Sequence, residues 1–359
     1  MTRSQRLLMP LPFLALLAAL WAGLLRLGWA LPSPVATLPA AHGPLMIAGF
    51  LGSLISLERA VALTTVFKTR RVFLVPALSG LGALALILGA TQNGAILIWL
   101  ASAGLTILFA ALLRRHRVLF TWMLLAGAAA WFVGNGLWAL GRPIHLAVWW
   151  WAGFLVLTIA GERLELSRIT RLTPNQQKAF AVSAAILAAG LFLTFVRYDA
   201  GVRLVGLGEL LLAAWLLRYD IARRTIRQTG LPRFTAACLL SGYVWLAAGG
   251  VFSIVFGGVS AGPLYGAMLH AVFLGFGFAM IFGHAPIIFP AVMQISLPFR
   301  PRFYIHLGLL HITLLLRVVG DLAPSPPARQ WGGLLNVIVL LFFLINTATA
   351  VQRKDSISP

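Results

Sequence analysis

Seven histidines and one internal glutamate are the side chains of this sequence best suited to chemistry. All but one of these histidines, and the glutamate, lie in long apolar stretches, where an ionisable group is costly and marks a functional position by default. A neutral imidazole can bind haem iron, and a carboxyl group inside a bundle can bind a cation or a proton. These residues are His42, His145, His270, His284, His306, His311 and Glu209, whereas His116 lies in a basic loop.

The elements that hold these residues are predicted to be transmembrane helices. Of the 359 residues, 60% are hydrophobic and 10% are charged, whereas soluble domains carry about 25% charged residues. The apolar runs are close to the ~20 residues that cross a bilayer, where the backbone must be helical. We therefore predict an all-α polytopic membrane protein, with one bundle domain over 1–359. Its twelve segments are 7–30, 38–57, 72–91, 94–113, 118–139, 145–161, 179–196, 204–217, 235–257, 263–290, 303–320 and 332–351.

Two of these segments are less clear than the others. The first follows Arg3 and Arg6, as in a signal peptide, but its apolar run is longer than a typical signal core and no small-x-small cleavage site follows closely. We favour a retained helix. The eighth segment is short and contains Glu209, which makes it the weakest.

The net charge of +20 reflects membrane topology rather than nucleic-acid binding, because the basic residues lie between the apolar runs. With a cytoplasmic N-terminus, 22 basic residues fall inside and 6 outside, as the positive-inside rule requires. This asymmetry predicts an even number of helices and two cytoplasmic termini, in a bacterial inner membrane. The expected partner is the lipid bilayer.

The cysteine count excludes an intrachain disulfide, because Cys238 is the single cysteine.

Three histidines share one predicted depth. Alternating helix directions place His42, His145 and His270 near the outer ends of even-numbered helices. Haem iron can take two axial imidazoles from different helices of a bundle, so His42 and His270 are candidate ligands of one iron. In the alternative interpretation each histidine is a polar packing residue. The small residues that would let helices or a flat macrocycle approach are Gly43, Gly49, Gly275 and Gly277.

Three more histidines are expected farther from the outer surface. His284 lies ~21 Å along the helix from His270 and on nearly the same face, at a rise of 1.5 Å per residue. Pro286 and Pro290 are expected to break or kink this helix and to shape an inner cavity around His284. His311 is expected near mid-bilayer, with His306 near the inner surface.

Charged groups within or beside the helices have functional and structural interpretations. Glu209 is placed in the outer third of its segment, where it could pair with Arg203, bind a cation or assist proton movement. Arg317 and Asp321 have the i,i+4 spacing of an ion pair, and Arg317 could instead contact a haem propionate.

Two further clusters are expected to be structural. Solvated helix ends are expected at Glu58-Arg59 and at Glu162, Arg163 and Glu165. Tryptophans are enriched at membrane interfaces, so the run Trp149, Trp150 and Trp151 is interpreted as a membrane anchor.

Two segments resemble the NnrS family of bacterial haem- and copper-containing membrane proteins linked to nitric oxide metabolism. The first is His42-Gly-Pro-Leu-Met46-Ile-Ala-Gly49-Phe50, and the second is His270-Ala271 followed by Gly275, Met280 and Gly283. The resemblance implies haem binding and places both motifs on the depth-matched histidines. This sequence departs from the family pattern at Pro44 and Leu45, where a second His and a Glu are usual, and at His284-Ala-Pro. Copper therefore remains only a secondary candidate cofactor.

The helix count is also similar to that of haem-copper oxidases. That family's copper centre uses an adjacent His-His pair, which this chain lacks, and segment seven contains no histidine. A copper–haem reduction centre is therefore disfavoured.

The leading hypothesis is a b-type haem protein of NnrS type, acting in nitric oxide response or in electron transfer from an unidentified donor. The residues assigned to the cofactor are His42, His270, His145, Met46 and Arg317. The alternative is a secondary transporter that uses intramembrane groups such as Glu209, His284 and His311; a scaffold without cofactor is a third interpretation. Whether the protein is an enzyme is left open.

Overall fold

The computed structural model describes residues 8–167, 172–293 and 295–352. These residues are almost entirely helical and contain no β-strand; the only extended pairing among them is an isolated bridge between Ser296 and Gln352. The prediction of an all-α protein is confirmed.

Eleven of the described helices are long and apolar enough to cross a membrane. The first helix is also apolar but has 17 residues. The chain is therefore a polytopic membrane protein, since a soluble fold has no means of covering so many apolar helices. In chain order the helices are α1 Pro10–Arg26, α2 Pro39–Phe67, α3 Arg70–Ile87, α4 Thr91–Arg115, α5 Leu119–Ala139, α6 Ile144–Leu166, α7 Pro174–Leu193, α8 Tyr198–Tyr219, α9 Gly230–Phe256, α10 Gly262–Pro290, α11 Phe303–Leu322 and α12 Pro326–Ala348.

The chain divides into two compact units, Met1–Glu162 and Arg163–Pro359. In the first unit, α1 packs against α2 and α3, and α3 to α5 pack in sequence order. The α5 and α6 helices meet where glycines leave room for side chains of the other helix, as at Gly127 opposite Thr158 and at Gly161 opposite Met123.

The second unit is built in the same sequential manner, with each of α7 to α12 packed against its neighbour and α9 also touching α11. Small residues again allow close approach: a Cβ atom on Gly206 would lie 2.6 Å from the carbonyl oxygen of Gly250. Helix association in membranes relies on such contacts because lipid gives no hydrophobic driving force between helices.

Two helices change from α to π geometry in their interior. In α2 the π segment is Leu45–Leu51, three residues after His42. In α10 it is Ala271–Phe278, directly after His270. Short π segments widen a helix locally and are frequent at functional sites, so His42 and His270 both lie beside irregular backbone.

The expected break at Pro286 and Pro290 is wrong. Both prolines lie inside the continuous helical stretch Ala279–Met293. The irregular backbone of α10 lies upstream instead, in the π segment. Neighbouring helices permit prolines inside transmembrane helices because they can satisfy the freed carbonyl groups.

The eighth apolar segment is longer than the sequence indicated. The α8 helix has 22 residues and begins at Tyr198, so Glu209 lies near its middle rather than in its outer third. The extra turns contain Asp199 and Arg203, which pair with each other at 2.8 Å. Their polarity hid the start of the helix in the sequence.

Candidate histidine and carboxyl sites

The first candidate site surrounds His42 and lies within the first unit. The ring nitrogen Nδ1 of His42 is 2.8 Å from the carbonyl oxygen of Ala19 on α1. The imidazole lies against Gly23, one turn further along α1: a Cβ atom there would be 2.9 Å from Cε1 of His42. The α1 helix therefore sets the orientation of this ring.

The second candidate site surrounds His270 and lies within the second unit. The Nδ1 atom of His270 is 2.7 Å from the carbonyl oxygen of Gly266, one turn earlier on the same helix. Gly266 in turn faces Asp321 of α11, since a Cβ atom built on it would lie 3.1 Å from Oδ2 of Asp321. His270 is half-buried.

These hydrogen bonds define which ring nitrogen can bind a metal. A backbone carbonyl oxygen can only accept, so Nδ1 of His42 and of His270 must carry the hydrogen. In the neutral imidazole the lone pair is then on Nε2. Metal-binding histidines are usually held in this way, with the other nitrogen donating to a carbonyl or carboxylate. His284 has the same arrangement, with Nδ1 2.7 Å from the carbonyl oxygen of Met280.

A glycine and an indole ring meet beside each π segment. Gly52, directly after the π segment of α2, takes the ring of Trp131 from α5, which stacks on Phe154 with ring centroids 5.0 Å apart. In α10 the ring of Trp245 from α9 fits against Gly275, inside the π segment. Each unit therefore combines a histidine, a π segment and a glycine–tryptophan contact.

Three of the small residues differ in what lies beside them. Gly275 admits a neighbouring helix, as expected, because the Trp245 indole of α9 fills its open side, and this leaves no room there for a flat macrocycle. Gly49 is an ordinary packing position, because a Cβ atom there would lie 3.1 Å from Cβ of Ala83. Gly43 differs from both, since no atom lies within 4 Å of a Cβ built on it.

The α11 histidines have the opposite protonation pattern. The indole Nε1 of Trp245 donates to Nδ1 of His311 at 3.0 Å, which leaves the hydrogen of the neutral ring on Nε2. His306 is 1% exposed and its Nδ1 is 3.0 Å from the side-chain nitrogen of Asn346. Phe282 and Phe343 flank its ring, with the Phe282 centroid 4.8 Å away. These two histidines fit the structural interpretation better than the metal-binding one.

The remaining sequence candidates for the cofactor are half-buried. His145 lies in the first turn of α6, and Met46 lies in the π segment of α2. Residues 8–167, 172–293 and 295–352 contain no group of three or more His, Cys, Asp or Glu side chains arranged to hold a metal ion. His42 and His270 belong to different units, so their ligation of one iron remains a prediction.

The ion pair expected between Arg317 and Asp321 is present, with Nε 3.8 Å from Oδ2. Arg329, at the start of α12, joins it with Nε 3.0 Å from Oδ1. One buried carboxylate thus meets two guanidinium groups, so the cluster carries one excess positive charge. Because Asp321 also faces Gly266, this basic cluster is close to the turn that holds His270.

Glu209 is fully buried in α8 and corrects another expectation. It does not pair with Arg203, which binds Asp199 instead. Within the part of the chain that the structure describes, neither carboxyl oxygen of Glu209 has a hydrogen-bonding partner.

A buried polar network that the sequence did not predict lies in the second unit. Arg163 donates from Nε and Nη2 to the two oxygens of Asp220, at 2.8 and 2.9 Å. Tyr243 donates its hydroxyl to the same carboxylate at 3.2 Å, and the backbone N–H of Ala222 donates at 2.6 Å. Arg163 is only 4% exposed, so the expected solvated end of α6 is wrong at this residue.

The other expected solvated helix end is also partly buried. Arg59 pairs with Glu58 at 2.6 Å and with Glu162 at 3.0 Å, and the three side chains are 15 to 23% exposed. Arg59 thus links the end of α2 to the end of α6, which were expected to be separate solvated ends. Glu165 is likewise partly exposed.

The tryptophan run in α6 is not a membrane anchor. Trp149 and Trp151 are 0% exposed and Trp150 is 3% exposed. The Nε1 atom of Trp151 donates to Oδ1 of buried Asn135 on α5 at 2.9 Å. All three rings therefore belong to the interior of the first unit.

Comparison with known proteins identifies a family but no activity. A family model described as a domain of unknown function, DUF8744, matches residues 6–352. The chain belongs to the DUF8744 family. No curated protein and no solved structure matches it.

Proposed function

We propose that this DUF8744 protein is a haem-binding protein of the bacterial inner membrane, acting in nitric oxide response or in electron transfer. The observation that supports this most is the shared arrangement of His42 and His270. Each donates Nδ1–H to a backbone carbonyl and precedes a π segment. The resemblance of these two segments to the NnrS family points to the same cofactor.

The donor set fits haem. Haem needs one or two axial ligands from protein side chains, and Nε2 of His42 and of His270 has the lone pair for this role. Haem propionates need cationic partners, and Arg317 with Arg329 supplies an excess positive charge near the His270 turn. Copper stays a secondary candidate, because the sequence departs from the NnrS pattern at Pro44 and Leu45.

The role of the protein would be to hold and orient the cofactor. Bound haem would supply a redox-active iron that can bind small gaseous ligands such as nitric oxide. The α1 carbonyl at Ala19 fixes the His42 tautomer, and Gly23 leaves room for the ring. His145 and Met46 remain candidate second ligands or pocket residues.

An absorption spectrum and metal analysis of the purified protein test this proposal. The expected result is a Soret band together with iron in the same sample. A colourless, iron-free protein purified from haem-replete cells would contradict the proposal. Movement of a substrate into liposomes by that colourless protein would support the secondary transporter, which the buried carboxyl of Glu209 favours.

The proposed topology places both termini on the cytoplasmic side. The motivating observation is the distribution of basic residues, with 22 inside and 6 outside in this orientation. In a C238S background, single cysteines at Arg115 and Arg224 should resist an impermeant maleimide in intact cells, whereas one at Arg142 should be labelled. External labelling of a cysteine added at the C-terminus would contradict the even number of crossings.

His284 is expected to lie apart from the haem. It is ~21 Å from His270 along the helix axis, at 1.5 Å per residue, which is too far for both to bind one iron. His284→Ala should therefore keep the absorption spectrum of bound haem and change the rate at which external ligands reach it. His116→Ala, in an exposed loop, is the control. Complete haem loss in folded H284A protein would show that this separation is wrong.

A further inference from the structure

The buried carboxyl of Glu209 lies where three helices of the second unit meet. At about 100° per residue around a helix axis, Glu209 falls between the two faces of α8 that touch its neighbours. Gly208 marks the face against α7, where a Cβ atom would lie 2.5 Å from Cα of Leu187. Gly206 marks the face against α9, where a Cβ atom would lie 2.6 Å from Cβ of Ser253. The carboxyl group therefore points into the groove between α7 and α9.

No basic residue on these helices compensates the carboxyl group. On α8, Arg203 binds Asp199, and Arg218 lies in the last turn. On α7, Lys178 is exposed in the second turn, and on α9 Arg233 is exposed in the first turn. The other titratable groups of α9 are buried Cys238 and Tyr243, and Tyr243 donates to Asp220.

An ionised carboxylate in this position would lack both a counterion and hydrogen bonds. Burial of such a charge costs far more than burial of the neutral acid. Glu209 therefore holds a proton, and binding or release of that proton changes the charge inside the unit. Ionisable groups with this placement in membranes commonly carry protons or ions.

A second buried polar group, the Ser253 hydroxyl, lies on the α9 side of the interface between α8 and α9. This hydroxyl is also without a hydrogen-bonding partner among the described residues. Ser253 lies on the α9 face that meets Gly206. Gly206 precedes Glu209 by about one turn of α8. The residue after Ser253, Ile254, accepts a hydrogen bond at its carbonyl oxygen from Arg203, whose side chain is 44% exposed. The exposed Asp199–Arg203 pair thus reaches the backbone beside Ser253.

We propose that Glu209 is a proton-binding site, and that its proton exchanges with water through Ser253. On binding, a carboxylate oxygen forms an O–H bond with a proton from water, and release breaks that bond. The Ser253 hydroxyl relays the proton by accepting one and giving up its own, so no other reactant is required. This site is independent of the proposed haem site and needs no cofactor.

Infrared spectroscopy of the full-length protein in membranes tests the site directly. The wild type should show the C=O stretching band of a protonated carboxyl group, and E209Q should lose that band. In D2O the band should shift, because an exchangeable proton is replaced by deuterium. E165Q changes a half-exposed carboxyl group and is the control that should keep the band. E209D serves as a second variant in case E209Q misfolds. It keeps a carboxyl group at the site, so it should keep the C=O band at a changed frequency.

The relay is tested with two serine variants of α9. S253A should keep the band and slow its shift in D2O at least several-fold. S241A is the matched control, because the Ser241 hydroxyl donates to the carbonyl oxygen of Ala237 within its own helix; it should exchange at the wild-type rate. Absence of the band in the wild type, or a band that never shifts in D2O, overturns the proton site. Equal exchange rates in S253A and S241A overturn the relay.

Discussion

Changing His42 or His270 to alanine in haem-loaded protein is expected to convert a low-spin absorption spectrum into a high-spin one, or to release the haem. Each change removes an imidazole whose Nδ1 is held by a carbonyl oxygen, at 2.8 Å for His42 and 2.7 Å for His270. Loss of an axial ligand changes the ligand field of the iron. The measurement is the Soret and visible spectrum, together with the haem-to-protein ratio.

The single variants separate one shared iron from two separate sites. If both histidines bind one iron, as the sequence predicts, each single variant should change the spectrum of all the bound haem, and H42A/H270A should abolish haem binding while helicity measured by circular dichroism is kept. If they bind different haems, each single variant should lose about half of the bound haem. His116→Ala, in the exposed loop after α4, should behave as the wild type. Unaltered spectra in both single variants would show that the histidines are structural.

The geometry of the His42 site gives a finer test. Gly23→Ala would place a methyl group 2.9 Å from Cε1 and 3.0 Å from Nδ1 of His42, so the ring must move. The expected result is a shifted spectrum with haem retained. Gly43→Ala is the matched control, since no atom lies within 4 Å of its Cβ position. Identical spectra of G23A and wild type would contradict the role of Gly23 in positioning the ring.

The positions of the helices could be predicted from the sequence because lipid fixes the length of an apolar helix at ~20 residues. The start of α8 could not, since Asp199 and Arg203 reduce its apolarity but pair with each other at 2.8 Å. The π segments also escaped prediction. Their residues, Leu45–Leu51 and Ala271–Phe278, are all apolar or glycine, as in many turns of the other membrane helices, so no residue type marks the change in hydrogen bonding.

Contacts between distant residues were the main features hidden in the sequence. A tryptophan run fits an interfacial belt and a buried core equally well by composition, and only packing shows that Trp149 and Trp151 are inside. Asp220 pairs with a residue 57 positions away. One observation could have indicated that Asp220 forms an ion pair: the chain has 8 acidic residues and 28 basic ones. An acidic residue next to an apolar segment is therefore a good candidate for a structural ion pair.

The largest effect on stability is expected from removing one partner of the pair between Arg163 and Asp220. Asp220→Asn leaves the guanidinium of Arg163 buried without a counterion, since Arg163 is 4% exposed and Asp220 2%. Breaking a buried pair in this way costs about 3–5 kcal/mol. The carboxylate also accepts from Tyr243 and from the N–H of Ala222, so the change weakens contacts among α6, α8, α9 and the turn Ala222–Thr225.

Unfolding by titration with SDS, followed by tryptophan fluorescence, measures this effect. The matched control is Asp199→Asn, which breaks an ion pair of the same residue types whose side chains are 44% and 61% exposed. An exposed pair is screened by water and contributes little to stability, so D199N should change the unfolding midpoint far less than D220N. R163M should resemble D220N because it leaves the carboxylate unneutralised. The double variant R163M/D220L should recover part of the loss, since it removes both buried charges. Equal midpoints for D220N and D199N would show that the buried pair does not stabilise the second unit.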